Sequence, residues 1–112
     1  MDPQRFRAPD LVWYKLNENE WGFILLLSSA NAANKVFEYC WLQRFDMNGN
    51  AIGKPYDIYL NYPEPKSMNW EGMDWLEDQK TLVLIHDKYP KGTPHVLILP
   101  MDKVQEVWNA NQ

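Results

Sequence analysis

Asn69-Trp70-Glu71-Gly72-Met73-Asp74-Trp75, followed after the polar turn Glu77-Asp78-Gln79-Lys80 by Thr81-Leu82-Val83-Leu84-Ile85-His86-Asp87, is the stretch that decides the fold class. Apolar residues stand at consecutive positions from Leu82 to Ile85, a run too short for a helix and suited to a strand covered on both faces. The segment before it alternates, carries an acid beside a glycine and reads as a partner strand. The unit is therefore strand, turn, strand, with Glu71 near one end and Asp87 at the other.

Working outward, His95-Val96-Leu97-Ile98-Leu99 reads as a third strand after the loop Lys88 to Pro94. From Asp102, which can cap it, a short helix is expected with Val104, Val107 and Trp108 on one side. Upstream, Leu11 to Leu16 alternates, with Leu11, Trp13 and Lys15 on one face and Val12, Tyr14 and Leu16 on the other. Phe23 to Ser28 is apolar on both faces, as an interior strand is, and Ser29 to Asn34 is a small polar loop. Phe37, Tyr39, Trp41, Gln43 and Phe45 alternate with Glu38, Cys40, Leu42 and Arg44, a half-buried strand with an aromatic face. Asp46-Met47-Asn48-Gly49-Asn50 has the Asn and Gly that accept the positive φ of a tight hairpin. The return strand lies within Ala51 to Leu60, and Pro55 suits it to a sheet edge.

The order strand, acidic turn, doubly apolar strand, loop, third strand occurs twice. Repetition of one supersecondary unit at roughly 40 to 60 residues is characteristic of propeller blades. The expected fold is all-β, with about two propeller-type antiparallel blades of four and about three strands and a short C-terminal helix. The expected divisions are an extended N-terminal arm at 1–10, a first blade-like unit at 11–62, a second at 63–101, and a helix and tail at 102–112.

Composition narrows the function classes. The chain has 112 residues, 46% of them hydrophobic, with six Trp and six Tyr, enough apolar area for one folded core. A net charge of -4 with scattered Lys and Arg argues against nucleic acid as a partner. The single cysteine, Cys40, excludes an internal disulfide framework and a multi-cysteine zinc site, and reads as a buried strand residue. No signal peptide is readable in Met1 to Asp10, and the longest apolar run, Phe23 to Leu27, is too short to span a bilayer. A cytoplasmic protein without a membrane partner is the default expectation.

On Asn69 to Trp75, on Leu82 to Lys88 and on the ending His95-Val96-Leu97-Ile98-Leu99-Pro100, the sequence resembles the C-terminal blades of phytase-like, or esterase-like, β-propeller proteins, particularly cyanobacterial members. In that family an Asn-x-Glu-Gly strand precedes an apolar strand ending in Asp. The resemblance covers about a third of the chain. It implies that Glu71 and Asp87 lie near a central channel, where acidic residues of this fold class bind calcium or handle phosphoesters. Calcium takes about six to eight oxygen ligands, so two carboxylates leave the site to be completed from elsewhere. A propeller needs about four or more blades, and this chain has sequence for about two. It is then the end of a longer propeller, a subunit that self-associates into a ring, or an independent sandwich.

Each of these residues also has a plainer reading. Glu71 beside a turn glycine bonds to local backbone or solvent. His86 and Asp87 are adjacent in a strand, so they face opposite ways and make a poor acid-base pair, and His86 reads as a packed strand residue. His86 and His95 lack a local metal-ligand spacing, and Ser28-Ser29 lacks the glycine-flanked elbow of a serine hydrolase. Trp13, Trp21, Trp41, Trp70 and Trp75 fall at positions expected to pack between sheets. The alternative to a metal-dependent enzyme is a non-catalytic module that binds a glycan, peptide or protein through exposed aromatics, with Tyr59, Asn61 and Tyr62 as its stacking platform.

Overall fold

The computed structural model describes residues 4–31, 36–62, 70–86 and 95–110. Its strands are β1 (Gln4–Asn17), β2 (Glu20–Asn31), β3 (Val36–Asp46), β4 (Ala51–Asp57), β5 (Trp70–Trp75), β6 (Thr81–His86) and β7 (His95–Pro100). A four-residue helix, α1 (Ile58–Asn61), follows β4, and α2 (Met101–Ala110) follows β7. The strands form two antiparallel sheets in sequence order, β1-β2-β3-β4 and β5-β6-β7. The all-β class, the four-plus-three strand division and the short C-terminal helix are as expected. No helix among the described residues is long and apolar enough to cross a membrane.

One face of each sheet and one side of α2 share a single core. Val12, Ile24, Leu26, Cys40 and Leu42 come from the first sheet, Met73, Leu82, Leu84 and Leu99 from the second, and Met101, Val104 and Trp108 from α2. Period-2 alternation is visible in the burial: Ile24, Leu26 and Ser28 are buried while Phe23, Leu25 and Leu27 are half-buried. The two doubly apolar strands are thus fully buried on one face and only partly covered on the other. On β6, Leu82 and Leu84 are fully buried, whereas Ile85 on the opposite face is 51% exposed. Trp13 and Trp21, expected between sheets, stand at the surface, and Trp41 and Trp75 are half-buried.

Three boundaries differ from expectation. Residues 4–10, read as an arm, belong to β1, with Gln4 to Arg7 paired to Asn31 to Ser28. A register shift between Arg7 and Asp10 absorbs Ala8-Pro9, where proline has no N–H to give a ladder. The same pairing carries β2 through Ser29 to Asn31, which composition had marked as loop. The return strand stops at Asp57, whose carboxylate accepts from Leu60 N at 3.0 Å and caps α1, leaving Leu60 77% exposed. β4 is a sheet edge, as Pro55 suggested.

The turns are built on carboxylates. Asp46 accepts from the backbone N–H groups of Asn48 and Asn50, each at 2.9 Å, with Gly49 at φ 86°. Asp78 accepts from Lys80 N at 2.8 Å and from Thr81 N and Oγ1 at 3.1 Å. These bonds, led by those from Asn50 and Lys80, hold both carboxyls below their ordinary range. A depressed folded-state pKa gives stability that is complete above the ordinary carboxylate pKa and lost as pH falls through the folded value. The melting temperature is therefore expected to drop as the solution is acidified below about pH 4. Asp46→Asn with Asp78→Asn should flatten that part of the curve in circular-dichroism melts, and an unchanged acid limb would contradict the assignment.

Cys40 is fully buried, and burial, with the nearby Asp57 charge second, pushes its thiol up to about 12. Thiolate is the reactive form, so native protein at pH 8 is expected to resist a disulfide reagent that labels the urea-unfolded chain completely. Rapid labelling under native conditions would show that this part of the core opens.

Arg44 is a charged member of the buried set. Its guanidinium lies 4.4 Å from the centre of the Trp108 ring, and its Nε and Nη2 have no hydrogen-bond acceptor among the described residues. Desolvation lowers its pKa, and the indole face supplies a cation–π contact in compensation. Beside it, Gln43 Nε2 points to the carbonyls of Arg44, Ile52 and Gly53 at 3.1 to 3.2 Å, filling the register shift between β3 and β4.

Candidate ligand-binding groove

The tight β1–β2 turn sets the first wall of the groove. Asn17 Oδ1 accepts from Asn19 N, and Asn17 Nδ2 donates to Glu20 Oε1, each at 2.9 Å. The register that follows places Trp21 opposite Lys15 and Phe23 opposite Trp13. Trp13 and Trp21 are consequently diagonal neighbours on the outer face of the first sheet. They are 57% and 52% exposed.

The second sheet meets this wall edge to edge. Met73 N donates to Asp10 Oδ2 at 2.8 Å, and the Trp75 indole N–H donates to the Trp13 carbonyl at 2.8 Å. Side chains thus join β1 to β5 where a ladder would otherwise run. Tyr14 stacks on Trp75 with ring centres 6.4 Å apart and planes 15° from parallel, and meets Trp108 edge-on at 6.0 Å. Its hydroxyl accepts from Gln105 Nε2 at 2.8 Å. Met101 N donates to Lys80 O at 2.9 Å, fastening the start of α2 to the β5–β6 turn.

Between these fastened segments opens a groove of about 1170 Å³. Trp13, Tyr14, Trp21 and Trp75 supply its aromatic lining, while Lys15, Lys80, Asp78 and Asp102 contribute two charges of each sign. Asp78 is occupied by its own turn, and Asp102 accepts from Lys103 N at 2.9 Å, one residue inside α2 rather than capping it. Such a site offers apolar aromatic surface, with the rings of Tyr14 and Trp75 held by their stacking and hydrogen bonds, beside mixed hydrogen-bonding groups.

The residues expected to act lie elsewhere. Glu71 is half-buried in β5, at the register shift between Trp70 and Gly72. Asp87 lies outside the described residues, as does Asn69. Among the described residues no three His, Cys, Asp or Glu side chains come together. Tyr59 and Tyr62 are half-buried against the core, the phenol of Tyr59 is pushed upward chiefly by burial, and Tyr62 bonds to Tyr56. Asn61 is exposed, and its amide donates to the Asp57 carbonyl at 2.8 Å. None of these three lines the groove. The histidines, nine residues apart, become cross-strand partners on β6 and β7 with ring centres 6.1 Å apart. His86 is buried against the edge of Trp70, as a packed strand residue is.

Trp13 and Trp21 are expected in the core because large aromatic side chains pack between sheets. The contrary signal is parity: Trp13 shares its face with Lys15, while the other face carries Val12, Tyr14 and Leu16. Comparison with known protein families, curated proteins and solved structures gives no match to this chain.

Proposed function

We propose that the chain is a non-catalytic binding module that holds its ligand in the aromatic groove between the β1–β2 hairpin and the start of α2. The observation carrying this reading is the pair of exposed indoles, Trp13 and Trp21, on adjacent strands at the mouth of a groove fastened on its other sides. Large aromatics bury much area at low entropy cost, and exposed neighbouring ones favour recognition over packing. Titration of intrinsic tryptophan emission against panels of soluble oligosaccharides and peptides tests it. A saturable change that is lost in Trp13→Ala and Trp21→Ala is expected; no response to either panel overturns it.

A second reading, self-association, is favoured by the apolar outer faces. Ile85, Val96 and Ile98 on the second sheet are each more than half exposed, and Leu11 is 49% exposed on the first. Blade-type packing of one copy's outer face on the next would cover them, and would let other copies complete a calcium site begun by Glu71 and Asp87. Light scattering gives the solution mass, with a multimer reduced to monomer by Val96→Glu as the expected result. Calcium calorimetry on the assembled protein and on Glu71→Gln tests the metal reading; absence of heat in the unmodified protein ends it.

A further inference from the structure

We propose that the groove takes an uncharged, polyhydroxylated chain, a neutral oligosaccharide laid across Trp13 and Trp21. This rests on the groove being the ligand site. Three observations select the ligand class.

The first is charge. Lys15 and Lys80 are balanced by Asp78 and Asp102, so the groove presents no single-sign field to gather an anionic or cationic polymer. Nucleic-acid and acidic-peptide sites concentrate Lys and Arg instead. The second is the sheet edge. A peptide bound by strand addition pairs with free backbone groups, but the Trp13 carbonyl already accepts the Trp75 indole N–H, and the Met73 N–H is taken by Asp10. Recognition here runs through side chains.

The third is the kind of contact the side chains offer. An indole half out of solvent offers apolar ring surface suited to the C–H side of a sugar, and the register sets Trp13 and Trp21 about 7–8 Å apart between backbones. Lys15 supplies donors, and the carboxylate of Asp102 and the side-chain carbonyl of Gln105 supply acceptors. A sugar hydroxyl, being donor and acceptor at once, is satisfied by either.

The experiment titrates the full chain by calorimetry and tryptophan emission with cellohexaose, maltohexaose and chitohexaose, and in parallel with a proline decapeptide. Binding of at least one hexasaccharide is expected, weakened about tenfold or more by Trp13→Ala and by Trp21→Ala, since each removes a ring on which the sugar lies. Both variants should melt like the parent, because both rings are at the surface, and affinity should hold between low and high salt. Binding of the proline peptide alone overturns the glycan and leaves the binding module standing. Binding of neither overturns both. Sugar binding untouched by both substitutions overturns this location.

Discussion

Trp108→Ala is expected to destabilise the domain by about 3–5 kcal/mol, a large share of the roughly 5–15 kcal/mol available to a protein of this size. Trp108 is fully buried and touches elements distant in sequence: its ring lies under the Arg44 guanidinium of β3 and meets Tyr14 of β1 edge-on. Alanine opens a cavity and also removes the aromatic face that partly compensates a buried cation, so two costs add. Trp108→Phe should cost far less. It keeps an aromatic face, and it removes an indole N–H that has no hydrogen-bond acceptor among the described residues. Urea denaturation followed by far-UV circular dichroism measures both; a loss below about 1 kcal/mol for the alanine variant would mean that α2 is not part of the cooperative core.

Gly22→Ala is the second large effect, about 2–4 kcal/mol, because the obstacle is backbone. A Cβ at Gly22 would collide with the Phe45 carbonyl of the adjoining strand and come within 3.0 Å of Leu16 Cδ1. A carbonyl held in a sheet ladder cannot rotate aside. Gly72 is the useful contrast: the added methyl would meet Ile85 Cγ1 at 2.8 Å, but that side chain is half exposed and free to shift, so a smaller loss is expected there. Comparable midpoints for Gly22→Ala and Gly72→Ala in parallel urea titrations would contradict the distinction.

The strands were legible because alternation and turn chemistry are local properties. Asp46 to Asn50 and Glu77 to Lys80 close hairpins with hydrogen bonds among neighbours, so the residues that make each turn are also the ones that announce it. Coverage was not legible in the same way. Leu25, Val83 and Ile85 are as apolar as Leu26 and Leu84, yet only the latter two are fully buried, since what covers a face is supplied by another element. The groove was illegible for a related reason. It assembles Trp13, Trp75 and Gln105 across more than 60 residues of sequence, and no spacing within any one segment reports that meeting. Tyr59 to Tyr62 looked like a platform because its residues are adjacent, whereas the cap of α1 and the nearby core occupy them.

The sequential order of the strands gives the chain a timetable. Within each sheet every strand after the first pairs with its immediate predecessor, so a growing polypeptide has all four partners of the first sheet once Asp57 has emerged, and β5 to β7 assemble without reaching back for a ladder. The β1–β5 hydrogen bonds, and α2, which lies against both β4 and β7, need the two sheets together. A chain that ends before Met101 therefore keeps both paired meanders but lacks Met101, Val104 and Trp108 of their shared core. Exposed apolar surface of that kind makes partly folded chains prone to aggregate, and docking of α2 covers it.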